Sequence, residues 1–471
     1  MESPRHPVFA DVEQDAEAAV AGAFAQIAVE YFAATRSGQG RVSTGLGPDE
    51  LARRFEEPLP RSGRPLADVL TRLRRDVIPD SNHLCHPRSM GHQVCGPLPA
   101  AVWAESLVAA LNQSAAVWEM SPVGTILESR VIRWLSDLAG LGPGAGGTFT
   151  SGGTEATFAA LLAARAATLP NAWKEGVGAE APVVLHGEHA HYAVARAVGE
   201  LGLGTDNAIA VPSRAFRMDV AALEAEVERQ QAGSRPVMAV VATAGTTATG
   251  SFDDLEAIGR LCEARGIWLH VDGAHGASAL LSPVHCARLK GIERARSIPW
   301  DPHQMMLMPL SASVVLVRGE RDLDAGFSQR APYLFHAHPD VRNWDQGVRS
   351  FQCSRRLDGL GAIYDRLCAT ARILHHRVVA RQDFEALHEP ESNILCFRFL
   401  GDGSAEGDRL DALNLRLREE CNRSGEGWIT TTVVAGCRVL RVTFMNPRTT
   451  ADDIDRTLDS LAATGAILAH D

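Results

Sequence analysis

Lysine is almost missing from this chain. Only Lys174 and Lys290 occur among its 46 basic residues, so nearly every positively charged side chain is an arginine. Arginine stays protonated and is not a nucleophile, whereas a lysine amine can attack a carbonyl carbon. Both lysines lie in polar segments that we expect at the surface. A site that needs a covalently bound amine therefore has very few candidates in this sequence.

Other common signals are missing as well. The nine cysteines are scattered with no C-x-x-C pair, which predicts a reduced, cytoplasmic protein without a disulfide framework. The N-terminal residues MESPRHPVFADVEQD lack the apolar segment of a signal peptide, and no apolar run reaches the length of a membrane span. A net charge of −11 argues against a nucleic-acid partner, because phosphate binding needs a basic face. We expect neither a membrane nor a nucleic-acid partner.

The pattern of apolar residues predicts an α/β fold. Within the first 60 residues, EAAVAGAFAQIAVEYFAATR has the spacing of an amphipathic helix. Short apolar runs at 181–187, 235–245, 266–274 and 312–319 then alternate with helical patterns, which is typical of a mainly parallel sheet. Two further strand candidates, NILCFRFL and CRVLRVTFM, flank a helical pattern near the end. They predict a smaller C-terminal α+β lobe.

The segment TFTSGGTEATFAALLAAR, residues 148–165, is a candidate phosphate site. Two glycines precede a helix whose first-turn N–H groups and dipole favour an anion. Ser151 and Thr154 add hydroxyl donors, and Gly153 allows the backbone to approach a ligand closely. Taken alone, the segment fits an ordinary helix cap with a tight turn equally well.

Polar residues also follow several of the predicted strands. Asp272 ends the run HVDGAH, Thr246 lies in ATAGTT, and His191 follows the strand at 181–187. Ligands of α/β proteins bind at the carboxyl ends of parallel strands. Each residue also has a structural alternative, such as capping a turn. His336 and His338 in FHAHP are a weak metal signal without nearby carboxylate or cysteine partners, so we predict no metal site.

Together these motifs resemble the group II pyridoxal-phosphate-dependent decarboxylases, the family of glutamate, aromatic amino-acid and diaminobutyrate decarboxylases. The resemblance extends from about residue 86 to 450. The similar segments are HPRSMGH, ALNQSAAVWEMSP, TSGGTEATFAALLAAR, ATAGTTATGSFDDL, HVDGAHG, LKGIERARSIPWDPHQ, QCSRRLDGL and LRVTFMNPRTT. The resemblance implies fold type I, the pyridoxal-phosphate-dependent transferase-like fold, with a seven-stranded type of sheet in the large domain.

The resemblance also implies a role for individual residues. Ser151, Gly153 and Thr154 would hold the cofactor phosphate. His191 would stack on the pyridine ring, Ala274 would pack beneath it, and Asp272 would pair with its nitrogen. Thr246 would approach the ring's substituents, and His303 would contact the phosphate or the reacting centre. Arg441 would bind a substrate carboxylate or be a structural arginine, and His92 is expected to bind substrate.

One position departs sharply from the family pattern. After WDPH the family has its Schiff-base lysine, and this chain has Gln304. A carboxamide is not nucleophilic and cannot form an imine with an aldehyde. Two further departures lie in LDGLGAIY, which lacks the lysine and aromatic usual in the family, and at Arg296, where relatives often have aspartate.

Three interpretations follow from this departure. In the favoured one, the chain is a decarboxylase-like protein that binds pyridoxal 5′-phosphate non-covalently, or pyridoxamine phosphate, and acts on a preformed amino-acid aldimine. His191 or His303 would then transfer protons, with Gln304 as the third catalytic residue. Alternatively, the chain is a non-catalytic homologue that binds cofactor, amino acid or a partner. In the third, it is a cofactor-free biosynthetic enzyme for acyl or amine transfer.

The resemblance further implies the domains and the assembly. Residues 1–95 would form a helical segment that wraps a partner subunit, 96–355 the large cofactor-binding domain and 356–471 the small domain. We expect a homodimer with its active site at the interface, to which the partner contributes the loop 333–347. The substrate would be an amino acid, as a small-molecule partner, and an acidic or an aromatic side chain is equally compatible.

Overall fold

A computed structural model describes residues 14–59, 61–327, 343–356 and 365–469 of the chain. Five helices come first: α1 (Gln14–Arg36), α2 (Pro48–Phe55), α3 (Leu66–Arg72), α4 (Pro99–Leu111) and α5 (Pro122–Leu138). The predicted N-terminal helix is therefore present as α1, although helical structure up to residue 60 is divided between α1 and α2. A proline at the start of α2, α4 and α5 favours those helix starts, because its missing N–H has no helical partner there.

The large domain contains a seven-stranded sheet. Its strands are β1 (Gly146–Thr150), β2 (Val183–Gly187), β3 (Ala208–Val211), β6 (Val237–Thr243), β7 (Trp268–Asp272), β8 (Ser297–Trp300) and β9 (Ser313–Val317), and β4 (Ser213–Arg214) with β5 (Arg217–Met218) forms a separate ribbon. The order is β1-β9-β8-β7-β6-β2-β3, and β9 alone runs antiparallel to its neighbours. Strands β1, β7 and β9 are buried along their whole length, as expected for strands covered on both faces.

Helices cover both faces of this sheet. They are α6 (Gly153–Thr168), α7 (Ala172–Glu175), α8 (Ala193–Glu200), α9 (Val220–Ala232), α10 (Leu255–Arg265) and α11 (Arg321–Phe327). One buried apolar cluster lies between the sheet and α10, and a second lies beneath α6 and α8. Helix α10 has well-defined ends: the Asp254 carboxylate accepts from the Ala257 N–H at 3.0 Å, and Gly266 has a φ of +66°.

The small lobe follows in the last part of the chain. It combines α12 (Asp365–Val379), α13 (Gly407–Ser424) and α14 (Ala451–Leu468) with β10 (Phe384–Ala386), β11 (Ile394–Phe399), β12 (Thr430–Val434) and β13 (Cys437–Thr443). The four strands form an antiparallel sheet in the order β10-β11-β13-β12. The predicted α+β lobe is present, and its two predicted strands are β11 and β13. The expected domain boundaries after residues 95 and 355 stay a prediction.

One expectation about apolar segments was wrong. Within α1, residues 18–36 are long and apolar enough to cross a membrane, by length and composition, with a mean hydropathy of 1.3. The sequence pattern indicated an amphipathic helix here, because Gln26 and Glu30 interrupt the apolar residues. Only 17% of this window is buried in the isolated chain, and soluble proteins contain helices of the same composition.

Candidate active site

A cavity of about 520 Å³ lies at the carboxyl edge of the parallel strands. The ends of β6, β7 and β8 open into it, and so do the residues that follow β1 and β2. This is the edge at which open α/β sheets bind ligands. Eight of the predicted site residues line the cavity together: Ser151, Gly153, Thr154, His191, Asp272, Ala274, His303 and Gln304.

The turn between β1 and α6 forms one wall of the cavity. The backbone N–H and the hydroxyl of Ser151 both donate to Oε2 of Glu155, at 2.8 and 2.5 Å. Gly153 lies directly against the opposite wall, because an added Cβ would meet Asp301 Oδ2 at 2.9 Å and the Ala274 methyl at 3.1 Å. Only glycine fits at position 153 without displacing these groups. A side chain at position 153 would fill part of the cavity. With glycine there, the N–H groups at the start of α6 face the open cavity.

Asp272 provides a buried carboxylate at the end of β7. Its Oδ1 atom accepts from the Ala274 N–H at 3.2 Å. Burial raises the pKa of Asp272 to about 6, the Ala274 N–H lowers it, and the nearby charge of Asp301 raises it further. A cation placed beside this carboxylate would offset the free-energy cost of burying it in the ionised form. The site therefore favours a ligand with a protonated nitrogen at the end of β7.

Gln304 lies between two buried polar side chains. Its Nε2 donates to Asp301 Oδ2 at 2.9 Å, and its Oε1 is 2.7 Å from Nδ1 of His275. His275 is 4% exposed and also contacts Asn393 Oδ1 through Nε2 at 2.7 Å. Asn393 is the residue immediately before β11, so the small lobe reaches this wall of the cavity. The glutamine is a fixed member of the wall.

His191 and His303 both line the cavity. Nδ1 of His191 accepts from the Ala193 N–H at 3.3 Å, which leaves the other ring nitrogen as the one that can carry a proton. Burial lowers the pKa of His191. Nδ1 of His303 donates to the Ala312 carbonyl at 2.7 Å, and its Nε2 lies 3.6 Å from Asp301 Oδ2. Either imidazole is placed to exchange a proton with a group in the cavity.

Three predicted residues do not line the cavity. The Thr246 hydroxyl is 2.8 Å from that of Thr249 and accepts from the Ser251 N–H, so it stabilises its own loop. Arg441 is buried one layer behind the wall, where Nη1 donates to the Thr247 carbonyl at 2.9 Å. The His92 ring faces Trp428, with 6.2 Å between ring centroids. In each case local packing holds the side chain away from the cavity.

Other predictions lie outside the described residues or at the surface. His336, His338, the segment 357–364 (LDGLGAIY) and most of the loop 333–347 are not described. Arg296 pairs with Asp322 at 3.2 Å and stacks on Trp268, with 4.0 Å from the guanidinium carbon to the ring centroid. This departure from the family pattern therefore contacts the outside of the domain.

Neither lysine is near the cavity. Lys174 is exposed in α7, and Lys290 is exposed in the turn before β8. Neither residue is part of the cavity lining. The lining residues of the described chain thus offer no amine for a Schiff base.

Sequence reasoning missed two residues of the site, His275 and Asp301. Both were visible in the motifs, as the final histidine of HVDGAH and the aspartate of WDPHQ. His275 turns inward because Gly276 packs against the end of β6, where an added Cβ would meet the Ala244 carbonyl oxygen at 2.3 Å. The signal was a histidine followed by glycine directly after a strand.

Comparison with known proteins identifies the family. The model for the "Pyridoxal-dependent decarboxylase conserved domain" matches residues 48–400. The chain belongs to the pyridoxal-dependent decarboxylase family. Among curated members, it is 35% identical over 427 residues to the L-2,4-diaminobutyrate decarboxylase of Rhizobium meliloti (strain 1021), covering 87% of this chain and 84% of that protein. It is 31% identical over 426 residues to the acidic amino acid decarboxylase GADL1 of Mus musculus, covering 84% and 77% respectively.

Solved structures of this family have the same fold. The crystal structure of mouse CSAD superposes with a TM-score of 0.90 at 28% identity and covers 96% of this chain and 99% of the mouse chain. The expected fold type I is thereby confirmed. The family's cofactor is pyridoxal phosphate, and the residues of the cavity fit it. Asp272 meets the pyridinium nitrogen's requirement for an anion, and the start of α6 meets the phosphate's requirement for N–H donors.

Proposed function

We propose that this protein binds pyridoxal phosphate non-covalently and acts as a decarboxylase-like enzyme on an amino acid that is already joined to the cofactor. The observation that carries this proposal is the position of Gln304. Gln304 lies in the cavity wall, and both lysines of the chain are exposed elsewhere. We assign position 304 to the Schiff-base lysine of the family motif. An amide there holds the site together by hydrogen bonds but cannot bind the cofactor covalently.

The cavity residues supply the functions that do not need an amine. When bound, pyridoxal phosphate provides an electron sink for the bonds at the amino acid's α-carbon. Asp272 would hold the ring nitrogen protonated, and Gly153 and Thr154 would position the phosphate at the start of α6. Ser151 must give up its hydrogen bonds to Glu155 to join them. His191 would cover the ring and His303 would exchange a proton at its Nε2 atom.

The substrate we propose is an amino acid. The relatives in this family decarboxylate diaminobutyrate or acidic amino acids according to their names. We propose that Arg441 serves the substrate indirectly, because it does not line the cavity and its Nη1 donates to the Thr247 carbonyl. Thr247 itself lines the cavity, so Arg441 would act by fixing that part of the wall.

We also propose that the functional unit is a cytoplasmic homodimer. A broad apolar surface runs along α4, α5 and the turn between them, and is exposed in the isolated chain. It includes Trp103, Leu107, Leu111, Trp118, Met120, Val123, Leu127 and Trp134, each at least 39% exposed. Apolar surfaces of this kind mark protein interfaces. Together with the exposed face of α1, the surface supports burial against a second copy. The cytoplasmic location rests on the unpaired cysteines.

The proposal is tested by equilibrium binding followed by an amino-acid screen. Purified protein is titrated with pyridoxal phosphate, and release of carbon dioxide is then measured with diaminobutyrate and with acidic and aromatic amino acids. We expect saturable binding and slow carbon dioxide release from at least one amino acid. Saturable binding without release from any amino acid would support the non-catalytic homologue instead. Absence of binding would refute the proposal.

A further inference from the structure

Four side chains form one hydrogen-bonded chain along the cavity wall, which we call the Gln304 bridge. They are Asn393, His275, Gln304 and Asp301. Asn393 Oδ1 lies 2.7 Å from His275 Nε2, His275 Nδ1 lies 2.7 Å from Gln304 Oε1, and Gln304 Nε2 lies 2.9 Å from Asp301 Oδ2. Each distance is that of a hydrogen bond, so each contact requires one proton between its two atoms.

The Asn393 end of the bridge has a fixed direction. Its Nδ2 donates to the backbone carbonyl of Phe444 at 2.8 Å, and a carbonyl oxygen can only accept. Turning this amide around would place two oxygens against each other. Oδ1 of Asn393 therefore faces His275, and Nε2 of His275 must carry a proton in order to donate to it.

The other end of the bridge is a carboxylate that acts as an acceptor. Oδ1 of Asp301 accepts from the Ser313 hydroxyl at 2.5 Å, and Oδ2 faces Gln304. If Asp301 is ionised, Oδ2 has no proton to give. If His275 is neutral with its proton on Nε2, Nδ1 is also only an acceptor. Gln304 would then lie between two acceptors.

An amide cannot satisfy two acceptors on opposite sides. It has one donating group and one accepting oxygen, so one of the two contacts would join two lone pairs at 2.7 or 2.9 Å. Leaving a buried polar contact unmade is costly, by about 1–3 kcal/mol. One additional proton removes the conflict, whichever way the amide is turned. With Nε2 toward Asp301, the proton is on Nδ1 of His275. With the amide reversed, it is on Oδ2 of Asp301.

We propose that the Gln304 bridge holds one proton at the cavity wall at neutral pH, shared between His275 and Asp301. The directions of the hydrogen bonds require this proton in either orientation of the amide. It places an acid where the family has a lysine amine. That this acid donates its proton to the reacting carbon rests on the proposed function.

The surrounding charges affect where this proton lies. Burial has the largest effect on His275 and lowers its pKa, and the charge of Arg441 lowers it further. The hydrogen bonds to Asn393 and Gln304 and the charge of Asp301 raise it. Besides His275 and Asp301, the titratable residues that line the cavity are Glu155, His191, Tyr192, Asp272 and His303.

The proton can be detected in the full-length chain without cofactor or substrate. Infrared spectra of protein labelled with ¹³C-aspartate report a protonated carboxyl group, and ¹⁵N NMR of labelled histidines reports an imidazolium. Spectra are taken at pH 7.5, where Asp272 is mostly ionised. The signals are assigned by difference against Asp301→Asn and His275→Gln. We expect one of the two signatures in the wild type, the carboxyl band or the His275 imidazolium.

Two variants test whether Gln304 is the cause. In Gln304→Met, the methionine side chain has a similar size to glutamine but lacks the amide's donor and acceptor groups. The extra proton should therefore be lost. Asp301→Asn keeps the shape and allows both amide contacts with a neutral His275, so an imidazolium signal should disappear. A neutral His275 together with an ionised Asp301 in the wild type would overturn the inference, as would a signal that survives in both variants. Because no cofactor is present, failure of the proposed function leaves this result unaffected.

Discussion

The buried carboxylate of Asp272 should cost the protein stability in the absence of cofactor. Burial raises the pKa of Asp272 from its ordinary value of 3.8 to about 6. At about 1.4 kcal/mol per pH unit, this corresponds to a penalty of about 3 kcal/mol for holding the carboxylate ionised in the folded state. Replacing the carboxylate by the uncharged amide of the same shape, Asp272→Asn, removes that penalty.

The pH dependence has a definite sign. The folded state binds the Asp272 proton more tightly than the unfolded chain does, so this group's contribution to stability falls as the pH rises from about 4 to about 6. Above about 6 both states are ionised and the loss is complete. Asp272→Asn should therefore unfold at higher urea concentration than the wild type at pH 7.5, with the difference shrinking toward pH 4.5.

Urea unfolding of the cofactor-free protein between pH 4.5 and 8 measures this difference. Asp206→Asn is a matched control, because Asp206 is exposed and its replacement should leave the pH dependence unchanged. Adding pyridoxal phosphate should stabilise the wild type more than Asp272→Asn, since only the carboxylate pairs with the ring nitrogen. A variant that is less stable than the wild type at pH 7.5, or a difference that does not vary with pH, would refute the reasoning.

Three further predictions concern the site and the assembly. Gln304→Lys places an amine in the cavity, and borohydride should then fix the cofactor covalently at position 304; a variant that yields no reduced adduct would mean that the position does not face the cofactor. Gly153→Ala should lower the free energy of unfolding by about 1–3 kcal/mol, because the added methyl group meets Asp301 and Ala274. Gly152→Ala is the control: its added methyl group meets open space, so this variant should unfold like the wild type. Light scattering should show a dimer that Trp134→Glu weakens at least tenfold in dissociation constant, and a wild-type monomer would contradict the proposed interface.

The fold could be predicted where local pattern and burial agree. Strands β2, β6, β7 and β9 are short apolar runs between turn residues, so their type was readable from sequence. Strands β1 and β8 were missed, since Gly146 and Gly147 in the first and Pro299 in the second are residues that usually interrupt strands. Both strands pair with β9, which lies between them.

The site was predictable in part for a similar reason. Residues at strand ends, such as Asp272, could be placed at one edge of the sheet from topology alone. The partners of Gln304 could not, because His275 comes from another strand and Asn393 from the other lobe, and only tertiary packing brings them together. Arg441 and His92 do not line the cavity, and their roles toward a substrate stay a prediction, because a motif does not show which neighbouring group a long side chain contacts.

The most direct test of the central claim is borohydride reduction of the wild-type protein saturated with pyridoxal phosphate, followed by intact and peptide mass spectrometry. The account predicts that the cofactor binds and that the protein mass is unchanged after reduction and removal of small molecules. Gln304→Lys serves as the positive control. A reduced adduct on Lys174 or Lys290 of the wild type, at one cofactor per chain, would show that a Schiff base forms without position 304 and would contradict the account.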